Sequence, residues 1–243
     1  MGEPTVAVFR PDDGRLEDTV AVLESYGVDP VPDPMLEIEP TGATPRTDAD
    51  YAIVTSTTGV ERAVAGEWDP GTATVCAIGP RTAAALEDAG YAVAVVPEEY
   101  TSSGLVETLE GAVDGTRVEI ARSDHGSSVL PEGLEAAGAY VHETTLYRLV
   151  RPEGSGESAE LAAAGELDAA LFTSPLTVEH FLDAADARGV LEGALEGLTE
   201  TVVAAIGEPT REAAVDLGLE VDVVPEEATS EALVEAVLAE LEN

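Results

Sequence analysis

The sequence predicts an α/β protein made of two doubly wound parallel-sheet domains joined by a two-stranded linker. Three observations carry that prediction: short apolar runs alternate with amphipathic segments along 243 residues, the alternation repeats internally, and two proline-bounded stretches interrupt it. In chain order, strands are expected near residues 5–9, 51–55, 74–78, 93–96, 117–121, 169–173, 202–206 and 221–224. Each is a short run rich in Val, Ile, Ala or Leu, the pattern of a parallel strand covered on both faces. Helices are expected near 15–26, 58–65, 80–89, 102–111, 128–137, 176–187, 209–217 and 230–241. Several open on Thr or Ser and close at Gly27, Gly90, Gly138, Gly189 or Gly218, where a left-handed glycine ends a helix.

The repeat is direct. VCAIGPRTAAALEDAGYAVAVVPEEYTSSGLVE from Val75 aligns without gaps on VAAIGEPTREAAVDLGLEVDVVPEEATSEALVE from Val203, with 19 of 33 positions identical. Weaker echoes link DYAIVTS from Asp50 with DAALFTS from Asp168, and VFRPDDG from Val8 with IARSDHG from Ile120. The chain therefore reads as blocks a, b, c and again a, b, c. Four strands per copy suit two small doubly wound sheets, since an eight-stranded barrel needs a steadier repeat. After each block a comes a stretch outside the pattern, 32–40 and 143–152, extended and bounded by proline. These are either connectors between domains or ordinary loops.

Composition excludes much chemistry. All 11 basic residues are arginine, against 49 acids, for a net charge of -38. Without lysine there is no Walker-type phosphate loop, Schiff-base chemistry or pyridoxal attachment. The single cysteine, Cys76, excludes a disulfide framework, cysteine zinc sites and iron–sulfur clusters. No metal is expected. A nucleic-acid or anionic-membrane partner is not expected, because both require a basic face. The scattered acids fit a chain adapted to molar salt, where self-repulsion is screened. No basic leader and no run of about 18 apolar residues is present, so a cytoplasmic chain is expected.

Candidate binding groups gather where strands give way to helices: Ser56 after the second strand, Gly79 and Thr82, Thr101 and Ser102, Ser174, and Gly207 with Thr210. At that edge of a parallel sheet, amides at helix N-termini favour anions. Any one hydroxyl there is also an ordinary helix cap. Arg10 and Arg122 end the first strand of each block a and suit carboxylate pairing, or a surface ion pair.

These residues together resemble the uroporphyrinogen-III synthase family. The resemblance rests on Phe9-Arg10, Thr55-Ser56 with Gly59-Val60, Ile78-Gly79 with Thr82-Ala83, Pro97 with Tyr100-Thr101-Ser102 and Leu105, Arg122 with Leu130-Pro131 and Leu134, Tyr147, Phe172-Thr173-Ser174-Pro175, and Ile206-Gly207 with Thr210. It implies flavodoxin-like domains, one from 1–34 with 153–243 and the other from 41–142, with 35–40 and 143–152 as paired extended linkers. The tandem repeat alone would instead divide the chain between 112 and 113. The implied reaction is cyclisation of hydroxymethylbilane with loss of water and inversion of ring D, through an azafulvene and a spiro intermediate, with no cofactor. By the same resemblance, Tyr147 assists departure of the hydroxyl group, unless it is simply a packed linker residue. Arg10, Ser56, Gly79, Thr82, Thr101, Ser102, Arg122, Ser174, Gly207 and Thr210 hold the substrate. A monomer is expected, with transient hand-over from hydroxymethylbilane synthase. The competing reading is a non-catalytic tetrapyrrole-binding or regulatory module of the same fold.

Overall fold

The computed structural model describes residues 3–11 and 14–242. Asp12 and Asp13, which belong to the first echo of block a, lie outside the described residues. In chain order the elements are β1 (Thr5–Phe9), α1 (Gly14–Ser25), β2 (Asp29–Pro32), β3 (Glu37–Pro40), β4 (Tyr51–Val54), α2 (Thr57–Ala65), β5 (Thr74–Ala77), α3 (Pro80–Asp88), β6 (Val93–Val95) and α4 (Ser102–Leu109). They continue as β7 (Arg117–Ser123), α5 (Val129–Ala136), β8 (Tyr140–Val150), α6 (Glu157–Ala164), β9 (Ala169–Phe172), α7 (Pro175–Ala187), α8 (Leu191–Leu198), β10 (Val202–Ala205), α9 (Glu208–Asp216) and α10 (Ser230–Leu241). The chain divides into two compact units, Met1–Glu37 with Val150–Asn243 and Ile38–Leu149.

In the first unit the sheet order is β10-β9-β1-β2, with parallel pairing throughout. Its central strands are covered on both faces, as their unbroken apolar sequence requires. Ala7 and Phe9 face one core with Ala170 and Phe172, while Val6 and Val8 face the other with Ala169 and Leu171. Phe9, Phe172 and Phe181 stack as a cluster, with ring centroids 4.5 to 5.7 Å apart.

Several elements differ from the sequence expectation. β2 contains Pro30 and Pro32, which lack the donors an interior strand needs, and the chain places it at the sheet edge where this is tolerated. The strand expected at 221–224 shrinks to one bridge between Val223 and Ala204. There the Asp222 carboxylate accepts the Val203 N–H at 2.8 Å, taking a donor that a longer ladder would use. Helices α6 and α8 lie outside the sequence expectation: ESAELAAA shows little helical periodicity, and LEGALEGL, though its Leu191, Ala194, Leu195 and Leu198 have helical spacing, carries two glycines in eight residues.

Those small residues are what let the two helices meet. A Cβ built on Gly197 would lie 1.8 Å from the Ala162 carbonyl oxygen, so α6 and α8 can approach this closely only with glycine there. Gly197→Ala is therefore expected to cost about 1–3 kcal/mol through overpacking, beyond the helix propensity it gains, and to lower Tm by several degrees. Gly193→Ala meets only the Ala163 methyl at 3.1 Å and is expected to be milder. Thermal unfolding of the two variants checks the order.

The second unit carries the sheet β3-β8-β7-β4-β5-β6. The pairs β8–β7, β7–β4, β4–β5 and β5–β6 are parallel, and β3 hydrogen-bonds to β8 at the edge. Ile53, Cys76, Val118 and Ile120 face one core, and Ala52, Val54, Val75 and Ala77 face the other. Trp68 closes the second of these cores, its ring centroid 5.3 Å from that of Tyr91. No helix among the described residues is long and apolar enough to cross a membrane.

Candidate functional site

In the second unit, the C-terminal ends of β4, β5 and β6 are followed by turns that open the next helix. Ser56 is the N-cap of α2 in extended backbone, and its Oγ accepts the Gly59 N–H at 2.9 Å. Thr101 caps α4 in the same way, accepting from Gly104 at 3.0 Å. Gly79 occupies the cap of α3, followed by Pro80, and its missing side chain admits Tyr100, whose Cβ would lie 3.3 Å from a Cβ at that position. Thr82 is buried in the first turn of α3. Three helix N-termini thus end at one edge of this sheet, each presenting backbone N–H groups and a positive dipole end.

Tyr147 arrives from β8. The β7–β8 register shifts between Arg122 and Ser123, so that Arg122 pairs with Thr145 but Ser123 with Tyr147. This bulge breaks the alternation of sides, and Leu146 and Tyr147 both pack into the same core. It also delivers the phenol oxygen to 3.0 Å from Ser56 Oγ. A cavity of about 220 Å³ opens there, lined by Ser56, Ser102, Arg122, Ser127 and Tyr147 among others. Four of the residues singled out from sequence therefore meet in one place.

Arg122 reaches this cavity with its donors engaged. Its guanidinium forms an ion pair with Glu143 and donates to the Ser127 carbonyl. Gly126 gives it room, since a Cβ there would lie 2.6 Å from Arg122 Cδ. A carboxylate ligand at this arginine must compete with Glu143, a neighbour that the sequence did not single out. Its only sequence signal was an acid on the extended stretch after block a.

In the first unit the equivalent residues are arranged differently. Ser174 caps α7 in a reciprocal box with Thr177, and Gly207 caps α9. Thr210 is buried in the first turn of α9. Glu208, the exposed acid beside that turn, is bonded by Arg211, whose hydrogen bonds and charge hold its carboxyl below the usual range. Arg10 turns towards α10, donating to the Ser230 hydroxyl, and lines a separate cavity of about 130 Å³ with Arg15, Asp18 and Thr19. Arg10 is buried at the sheet edge, as its position after β1 implies, but Ser174 and Thr210 do not share its cavity.

Potential nucleophiles and ligands are few. Burial pushes the Cys76 thiol up to about 12, which keeps it protonated at neutral pH. His180 bonds the Met35 carbonyl within the first unit's core, and no group of three His, Cys, Asp or Glu is set to hold a metal among the described residues.

Comparison with known proteins decides the family. The family model described as uroporphyrinogen-III synthase HemD (HEM4) matches residues 17–235. The chain belongs to the uroporphyrinogen-III synthase HemD family. Among relatives, a protein of Methanothermobacter thermautotrophicus provisionally named uroporphyrinogen-III synthase is 41% identical over 140 residues, which is 56% of this chain and 54% of that one. The chain thus matches about half the length of that relative. A protein of Archaeoglobus fulgidus with the same provisional name is 28% identical over 232 residues, covering 95% of this chain and 96% of its own. The crystal structure of a mutant uroporphyrinogen III synthase from Thermus thermophilus shares the fold, with a TM-score of 0.71 at 21% identity over 98% of this chain and 99% of that one. The HemD family match runs across both units, from α1 to α10, so it includes Ser56, Tyr147, Ser174 and Thr210 alike.

Proposed function

We propose that this chain is a uroporphyrinogen-III synthase, a lyase that cyclises hydroxymethylbilane with loss of water and inversion of ring D. Family membership supports the reaction, and the observation that carries the site assignment is the 3.0 Å contact between Tyr147 Oη and Ser56 Oγ beside the 220 Å³ cavity. The Gly59 N–H donates to Ser56 Oγ; either hydroxyl can donate across the Ser56–Tyr147 contact, and the proposed reaction uses the arrangement in which the serine proton goes to Tyr147 Oη. The phenol proton then points outward, towards a departing substrate hydroxyl. This chain of donors ends at the N-terminus of α2, whose dipole favours the negative charge that develops on the leaving oxygen.

The pyrrole nitrogen lone pair expels the hydroxyl, so the protein needs no nucleophile. Its larger task is to hold the chain so that the substituted carbon of ring D lies nearest the azafulvene, because unguided closure yields the symmetrical isomer. Ser102, Thr101 and the amides after Gly79 are assigned to substrate carboxylates in the second unit, with Arg122 shared between substrate and Glu143. Ser174, Gly207, Thr210, Thr82 and Arg10 are assigned supporting binding roles at their helix N-termini and strand end.

The same reading makes the protein a salt-adapted, monomeric, cytoplasmic enzyme that receives its unstable substrate from hydroxymethylbilane synthase. The experiment is product analysis: purified chain in molar salt, supplied with hydroxymethylbilane, with the uroporphyrin isomers separated after oxidation. Isomer III in excess of isomer I is the expected result. Isomer I alone, at the rate seen without protein, would overturn the assignment.

A further inference from the structure

At the end of the second unit's sheet where β4, β7 and β8 begin, away from Tyr147, lies a second cavity of about 440 Å³. One of the residues lining it, Glu119, is anomalous. It sits in the middle of β7 between the core residues Val118 and Ile120 and is only 1% exposed. One carboxylate oxygen, Oε2, bonds His142 Nδ1 at 2.7 Å across the β7–β8 pair. The other, Oε1, is buried and has no hydrogen-bond partner. A buried carboxyl group with an unmatched oxygen is costly, and such groups in native structures call for a partner.

The neighbouring arginines do not fill that role. Arg46 and Arg117 both bond the Asp48 carboxylate, at 3.1 and 3.0 Å. The unmet group in the cavity is therefore an acceptor, and an anionic ligand would meet Asp48 and Glu119 without satisfying it. A bare metal ion is disfavoured as well, since no three His, Cys, Asp or Glu converge among the described residues. Tyr140, 71% exposed at the rim, offers an aromatic face on which an organic cation rests well.

We propose that this cavity binds a small organic cation bearing N–H donors, a primary ammonium or guanidinium group, which hydrogen-bonds Glu119 Oε1. The His142 side chain is 48% exposed beside Glu119, so a bound donor lies next to its imidazole. The site is independent of the synthase reaction and uses none of the residues assigned to it.

The test is nuclear magnetic resonance on the full chain at a salt concentration where it is folded, following the imidazole signals during titration with methylguanidinium chloride. His142→Gln assigns the reporting signal. The expected result is a saturable shift of the His142 signal that tetramethylammonium chloride, a cation without N–H donors, does not reproduce. Affinity should fall at least tenfold in Glu119→Gln. Ala49→Leu, which adds bulk to the cavity wall while leaving the carboxylate intact, should also abolish the shift and serves if Glu119→Gln does not fold. No saturable shift, an equal shift with tetramethylammonium, or binding unchanged in Ala49→Leu would overturn the proposal.

Discussion

Transfer from molar salt to dilute buffer is expected to unfold this protein. The chain carries 49 acids against 11 arginines, and the ion pairs of its surface, such as Arg46–Asp48 and Arg211–Glu208, neutralise only a few of them. At about 1 M salt the Debye length is roughly 3 Å, so neighbouring carboxylates scarcely feel one another; at about 0.01 M it is roughly 30 Å, longer than a domain radius, and all of them repel together. Opposing this are cores filled largely by alanine and valine, such as Ala7, Ala170, Ala184 and Ala185 in one and Val6, Val8, Val234 and Val237 in another. Small side chains bury little area each, about 25 cal/mol per Å², so the margin against repulsion is narrow. Circular dichroism during dialysis should show loss of helix and its recovery when salt is restored. A native spectrum and unchanged Tm in dilute buffer would refute the salt-adapted reading.

Tyr147→Phe is expected to lower turnover roughly 10- to 100-fold, the lower range of general-acid contributions, with little change in fold. The ring stays in its core with Leu146 and Val54, and Ser56 keeps its cap on Gly59, so only the terminal donor is removed. The product distribution separates two roles. If the phenol only assists departure of the hydroxyl, the slower variant still makes isomer III. If it holds the chain in its folded conformation, isomer I rises as the rate falls. An unchanged rate would return Tyr147 to a packing role.

The parts of this molecule legible in sequence were those fixed locally. Ser56, Thr101, Ser174 and Thr229 cap helices as their place after an apolar run implies, because a cap needs only the next three residues. The site pairing was not legible, since the bulge that sets Tyr147 beside Ser56 depends on register between β7 and β8. Nor was the ion pair of Arg122 with Glu143, or the burial of Glu119, because both depend on which strand lies next to β7. The helices α6 and α8 were not legible because alanine and glycine dilute their pattern, and Gly197, unfavourable in a helix by itself, is what lets α8 pack closely on Ala162 while Leu195 and Leu198 reach the core.

By itself the sequence determined the α/β alternation, the tandem blocks a, b, c, and the chemistry excluded by the absence of lysine. Which block joins which was decided by tertiary structure. β1, from the first block a, pairs with β9 from the second block b; β7, from the second block a, pairs with β4 from the first. Each sheet thus combines the two copies, β1 and β2 of the first with β9 and β10 of the second, and β7 and β8 of the second with β3 to β6 of the first. Two similar copies present similar apolar faces, so local pattern cannot choose between pairing within a copy and pairing across copies. Contacts far apart in sequence make the choice: Phe9 meets Phe172 and Phe181 only in the exchanged arrangement, gathering all three phenylalanines of the chain into one core.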